Sequence, residues 1–283
     1  MKLRSLFLVA ADSQANIAKA AMLASDALVL DLQHVATGRA RAAARSRVVD
    51  WIKGRRRAGL MVGVGAQASP CYMDDLLAVV PARPAALVLP KCSGRDALHA
   101  LDHHLEAIEA AHGVARGSTK VVAVIDTYAA IQGVRYADAP ARLVGLCLGA
   151  DALGAQIGIA PRGQDGMYRA PLAQARTSLV IAAADAGVAA IDAPFPDPHD
   201  HKGLVRETRA AVEEGYAGKM CIYPSQVAPV TAAFTSSPER AEWARRVKRI
   251  FDAAPGSDAV TLDGTIVGRA QLSAAERILS AFE

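Results

Sequence analysis

"KVVAVID" (120–126) and "LVGLCLGAD" (143–151) decide how this chain folds. Both are short runs rich in Val, Ile and Leu, and each closes on a single acid, Asp126 or Asp151. Runs that stay apolar instead of alternating with polar residues suit parallel strands covered on both faces. Six more strands of similar length are expected at "SLFLVA" (5–10), "DALVLDL" (26–32), "GLMVGV" (59–64), "AALVLP" (85–90), "VAAIDA" (188–193) and "KMCIYP" (219–224). Helical stretches at 14–25, 38–57, 93–113, 170–187 and 202–215 lie between them. Eight strands, each followed by a helix or helical turn, predict an α/β fold of the (β/α)8 TIM-barrel type. A doubly wound open sheet competes, but no G-x-G-x-x-G follows the first strand.

The tail has another character. "SPERAEWARRVKRIFDAA" (237–254) predicts a helix with Ser237 near its N-cap, and Asp263-Gly264 predicts a hairpin turn before a last helix. The expected organisation is a barrel over residues 1–235 and a C-terminal helical and hairpin extension over 236–283, packing on the barrel or on a neighbouring subunit.

Composition narrows the function. The 283 residues are 52% hydrophobic, enough to bury a sizeable core. The net charge of +4 is spread out, and only 5% of residues are aromatic, so no nucleic-acid partner is expected. The densest basic run, Lys53-Gly54-Arg55-Arg56-Arg57, reads as a solvated helix end. The apolar stretch Leu6–Ala11 is too short for a secretory leader, no run suits a membrane span, and a cytoplasmic protein is expected. Cys71, Cys92, Cys147 and Cys221 form no C-x-x-C pair, and Cys147 and Cys221 read as buried reduced thiols.

Barrel chemistry sits at the C-terminal ends of the strands. Those ends place Asp31, His34, Lys91, Asp126, Asp151, Asp192 and Tyr223 around one mouth. Asp126 and Asp151 end successive strands, and two converging carboxylates suit Mg2+, which takes one or two carboxylates plus water and substrate oxygens. Alternatively these acids cap helix N-termini or pair with Lys91.

The order of motifs resembles the HpcH/HpaI aldolase and citrate lyase β-subunit family, with its malyl-CoA lyase relatives. The resemblance rests on "RSLFLVAADSQANIAKA" (4–20), "DALVLDLQHV" (26–35), "LVLPK" (87–91), "VVAVIDT" (121–127), "LCLGADAL" (146–153), "GKMCIYPSQV" (218–227) and "FTSSPER" (234–240). It implies a (β/α)8 barrel, a homotrimer or hexamer, and Mg2+ used to make or break a carbon–carbon bond next to a carbonyl. It further implies a 2-oxo acid or acyl-CoA-type partner, with an arginine on the third strand gripping the substrate carboxylate.

Several positions depart from the family pattern. Asp126 stands where the family has a metal-binding glutamate. The second metal aspartate aligns with Ala152, and Asp151 takes the glutamate position before it. Gly63 replaces the gripping arginine and Gly65 the asparagine after it. The family's acidic pair becomes Gln33 and His34, its histidine before P-S-Q becomes Tyr223, and a C-terminal aspartate becomes Gly268. The candidate set is therefore Asp126 and Asp151 for metal, Asp126, Gly63 and Tyr223 for substrate, and His34, Asp31 and Lys91 for catalysis. The unperturbed pKa of His34, about 6.5, suits proton transfer near neutrality. Two functions fit: an altered lyase, and a non-catalytic paralogue that binds a ligand or an active lyase subunit.

Overall fold

The computed structural model describes residues 1–54, 59–131, 136–235 and 238–280. Arg55–Arg57 of the basic run and the expected N-cap Ser237 lie outside them. The chain divides into two compact units, Met1–Thr231 and Ala232–Glu283.

The first unit is a closed barrel of eight parallel strands in sequential order. They are β1 (Ser5–Ala10), β2 (Ala27–Asp31), β3 (Leu60–Gly63), β4 (Ala86–Leu89), β5 (Lys120–Ile125), β6 (Leu143–Leu148), β7 (Ala189–Asp192) and β8 (Gly218–Cys221). Every expected strand is present. The helices are α1 (Gln14–Ala21), α2 (Arg39–Gly54), α3 (Tyr72–Val79), α4 (Arg95–Ala111), α5 (Ala150–Gln156), α6 (Ala170–Asp185), α7 (His201–Glu213) and α8 (Pro224–Ala233). Ser13 caps α1 by accepting from Asn16 N, and Asp200 caps α7 by accepting from Gly203 N.

Alternation sorts each strand into a face that fills the barrel and a face that meets the helices. The interior is packed by Leu6, Ala27, Val29, Met61, Ala86, Val88, Val122, Cys147, Ile191 and Met220, with Leu8 and Val124 against them. Continuing that parity puts Ala10, Asp31, Gly63, Pro90, Asp126, Gly149, Ala193 and Ile222 on the inward face at the mouth. Asp192 and Lys219 fall on the opposite parity, paired in register across β7 and β8.

That outward pair anchors a buried charge network. Lys219 Nζ donates to Asp192 Oδ2 at 2.5 Å and to Glu207 Oε1 at 2.7 Å. Arg176 of α6 also pairs with Asp192, and Arg162 Nε donates to Glu207 Oε2 at 2.6 Å. Tyr168 lies against two guanidiniums, those of Arg162 and Arg176, each 4.4 Å from its ring centre. Burial raises the Glu207 carboxyl, but Lys219 and Arg162 pull it below its ordinary value. At the other end of the barrel, Arg142 forks onto Glu109 with two bonds of 2.9 Å, and Glu109 accepts from Gly117 N and Thr119 N.

The second unit holds α9 (Pro238–Ala253), an antiparallel hairpin of β9 (Ala259–Leu262) and β10 (Thr265–Gly268), and α10 (Arg269–Ser280). Asp263 and Gly264 make the two-residue turn with φ of 51° and 78°, the left-handed pair a tight hairpin needs. Ala244, Val247, Phe251, Leu262, Val267 and Ala275 form its core. No helix among the described residues is long and apolar enough to cross a membrane. All four cysteines are buried and free.

Candidate active site

Asp126 follows β5 on the inward face and is only 7% exposed. Its Oδ2 accepts the Lys91 N–H at 3.1 Å. Its Oδ1 is buried without a hydrogen-bond partner. Burial pushes the Asp126 carboxyl above the ordinary aspartate value, partly offset by the Lys91 N–H and charge. Two local features hold the group in place. Lys91 adopts φ of 50°, an uncommon conformation for a residue with a side chain, and this turn aims its N–H at the carboxylate. Gly149, directly after β6, leaves room for the group, since a Cβ there would overlap the Cβ of Asp126. Gln156 Nε2 donates to the Asp126 carbonyl at 2.6 Å and ties α5 to the end of β5.

Asp31 ends β2 on the same inward face, 3% exposed. Its Oδ1 accepts from Gln33 N at 2.9 Å, and its Oδ2 lies 2.5 Å from His34 Nδ1. Asp31 therefore fixes the ring with its proton on Nδ1 and leaves Nε2 for another partner. The imidazole is 67% exposed. The hydrogen bond to Asp31 raises its pKa, burial opposes that, and the Asp31 charge adds to the rise.

Gly63 pairs in register with Asp31, and a Cβ there would stand 2.6 Å from Asp31 Oδ1. Beyond it, Gly65 N donates to Asp75 Oδ2 at 2.8 Å. The Arg41 guanidinium fills the adjoining space, 3.0 Å from where a Gly65 Cβ would be. It is committed to Asp75 through bonds of 2.6 and 3.2 Å and reaches the Gln33 and Val35 carbonyls at 3.4 Å. Arg45 Nε adds a second cation to Asp75 at 2.7 Å.

The structure thus joins Asp31 with His34, and Lys91 with Asp126 through the backbone. Asp151 stands exposed in the first turn of α5, where an acid suits the helix dipole, and makes no hydrogen bond or ion pair among the described residues. The Lys91 side chain is exposed. Tyr223 is half-buried two residues after β8, its N–H donating to Gln226 Oε1 at 3.3 Å. Asp192 belongs to the outer charge network, so its place at a strand end carries no chemistry for the mouth. Sequence reading missed the locked Arg41–Asp75 pair and the Gln156 tether. The core residues Ala44, Val48 and Trp51 share the α2 face that buries Arg41, which was the available signal for the first. Burial pushes the Cys92 thiol up to about 11, which leaves it protonated and inert.

Does this donor set fit Mg2+? Among the described residues no three His, Cys, Asp or Glu side chains are grouped as ligands. Magnesium needs fewer: one or two carboxylates suffice, with water and substrate filling the octahedron. An inward, buried carboxylate oxygen with no partner and a disfavoured charge is the group a cation relieves. The residues fit.

A closed parallel barrel with two inward carboxylates at its C-terminal mouth defines a barrel of enzyme architecture. The HpcH/HpaI aldolase/citrate lyase family model matches residues 4–224, and the chain belongs to that family. It is 30% identical to the citrate lyase subunit beta-like protein of Mycobacterium tuberculosis, over 95% of this chain and 92% of that one. It is 29% identical to the L-malyl-CoA/beta-methylmalyl-CoA lyase of Cereibacter sphaeroides, over 92% and 88%. Among solved structures it is similar to CitE of M. tuberculosis in complex with magnesium, acetoacetate and coenzyme A, with TM-score 0.74 and 27% identity, covering 99% of this chain and 100% of that one.

Proposed function

We propose that this chain is an aldolase-type carbon–carbon lyase of altered specificity, acting on a 2-oxo acid or acyl-CoA-type substrate. The observation that carries the reading is the buried, unpartnered Oδ1 of Asp126 at the mouth, in a family whose CitE relative was solved with magnesium. Asp126 would hold the ion, with Asp151 as the second carboxylate. When bound, Mg2+ supplies Lewis-acid stabilisation of the oxygen on which negative charge develops.

The chain's own residues handle the proton. In the cleavage direction the substrate hydroxyl gives its proton to His34 Nε2, and its oxygen becomes a carbonyl. The adjacent carbon–carbon bond breaks, its electron pair stays with the other fragment, and that carbon takes the proton back. Asp31 holds the ring orientation and stabilises the imidazolium, as a buried carboxylate on Nδ1 does in hydrolytic triads. Lys91 positions Asp126 through its N–H, and Tyr223 and Gly63 line the substrate side. We also propose a cytoplasmic homotrimer or hexamer; four buried free thiols support a reducing compartment.

A second reading, a ligand-binding paralogue without turnover, is favoured by one feature: Gly63 has no side chain and Arg41 is spent on Asp75. Turnover separates the two. A screen of 3-hydroxyacyl-CoA and 2-oxo acid substrates with Mg2+ should reveal cleavage that falls at least 100-fold in both Asp126→Asn and His34→Ala. Activity untouched by either change contradicts the lyase mechanism, and no turnover at all supports the paralogue.

A further inference from the structure

An anion seated at this mouth meets acids first. Asp31 and Asp126 hold inward positions, and the Asp31 carboxylate takes up the space beside Gly63. The guanidiniums near the rim are held elsewhere. Arg41 and Arg45 donate to Asp75, Arg162 is forked onto Glu207, and Arg47 donates to the Ala11 carbonyl at 3.1 Å. Among the three residues that follow each barrel strand, Lys91 is the one lysine or arginine. Its side chain is exposed and makes no ion pair among the described residues. Its main chain is tied to Asp126 through the 3.1 Å bond to Oδ2, and its charge opposes the rise that burial causes in that carboxyl. The φ of 50° ends the alternation of β4 at this residue, so strand parity does not commit the side chain to the helix-facing side.

We infer that the Lys91 ammonium binds the substrate's carboxylate, which makes this residue the selector of a 2-oxo acid over a neutral ketone. A carboxylate brought beside Asp31 and Asp126 needs a cation near it to offset their charge. The backbone tether leaves the Lys91 ammonium one flexible four-carbon stem away from Asp126. A 2-oxo acid carries its carboxylate on the carbon next to the keto group. A keto oxygen at a divalent ion on Asp126 therefore brings the carboxylate within reach of that stem. A compact, strongly hydrated ammonium also suits a carboxylate that stays partly in solvent, as the exposure of Lys91 requires. This rests on the lyase reading for the location of the site and for the substrate class.

Calorimetry on the full-length protein with saturating Mg2+ tests it, with pyruvate as the probe. Lys91→Met keeps the N–H on Asp126 and removes only the charge, so pyruvate affinity should fall roughly tenfold or more. Lys91→Arg should keep most of the wild-type affinity, and Mg2+ alone should bind Lys91→Met at least as tightly as the wild type. Pyruvate affinity unchanged in Lys91→Met overturns the inference, as does a wild type that binds no pyruvate. An arginine variant no better than the methionine one shows that the charge is not what matters, with the same consequence. Mg2+ binding lost in parallel would mean that Lys91 acts on Asp126 and not on the substrate. Weakened coenzyme A binding with pyruvate untouched would assign the ammonium to a phosphate, and also overturns it. Lys91-dependent pyruvate binding without any turnover would keep this inference and defeat the lyase reading; turnover with pyruvate binding independent of Lys91 would do the reverse.

Discussion

His34 is the residue whose behaviour depends most on one neighbour. Its pKa rises because Asp31 accepts its Nδ1 proton. A raised histidine stabilises the fold fully below its unfolded value, near 6.5, and loses that contribution as pH climbs through the folded value. The ring is largely exposed, so solvent screens the effect on stability and the titration itself is the better readout. NMR titration should place His34 above 6.5 in the wild type and return it toward 6.5 in Asp31→Asn. A His34 titration that stays as high in Asp31→Asn as in the wild type contradicts the pairing. The sequence placed Asp31 and His34 at one strand end, three residues apart. It could not show that the carboxylate turns onto Nδ1, because that depends on side-chain geometry in a loop.

At the scale of elements, parity decides which strand-end acids matter. Asp126 and Asp31 share the face of Val122 and Val29, whereas Asp192 neighbours Ile191 and takes the opposite face. Counting alternate residues back from the apolar interior would have excluded Asp192 from the mouth without a structure. The outward set stabilises the joint between β7, β8, α6 and α7. Lys219→Ala leaves Asp192 and Glu207 buried with one cation fewer, which should cost about 3–5 kcal/mol in chemical denaturation. A loss below about 1 kcal/mol would show that the network is dispensable. The eight strands were legible because both faces are covered, so each reads as an uninterrupted apolar run. Helices α3, α5 and α8 were not read: the first two are eight and seven residues long, and α8 carries Pro229 inside it.

For the whole molecule, the barrel supplies a rigid rim on which chemistry changes while the scaffold stays. Glycines at tight approaches show how little the scaffold tolerates: a Cβ on Gly218 would overlap the Leu3 carbonyl. The sequence leads one to expect departures from the family pattern at Gly63, Gln33, His34 and Ala152, and only the surrounding geometry tells what each of these residues can do. Assembly belongs to this scale too. Sedimentation or light scattering should give three or six times the 29.5 kDa chain mass, and a monomer at micromolar concentration contradicts the proposed oligomer. The chemistry proposed for this barrel depends on a metal held by Asp126, and calorimetric titration of Mg2+ measures that binding. The wild type should bind about one ion per chain and Asp126→Ala none; no binding by the wild type, or equal binding by both, would show that Asp126 holds no metal.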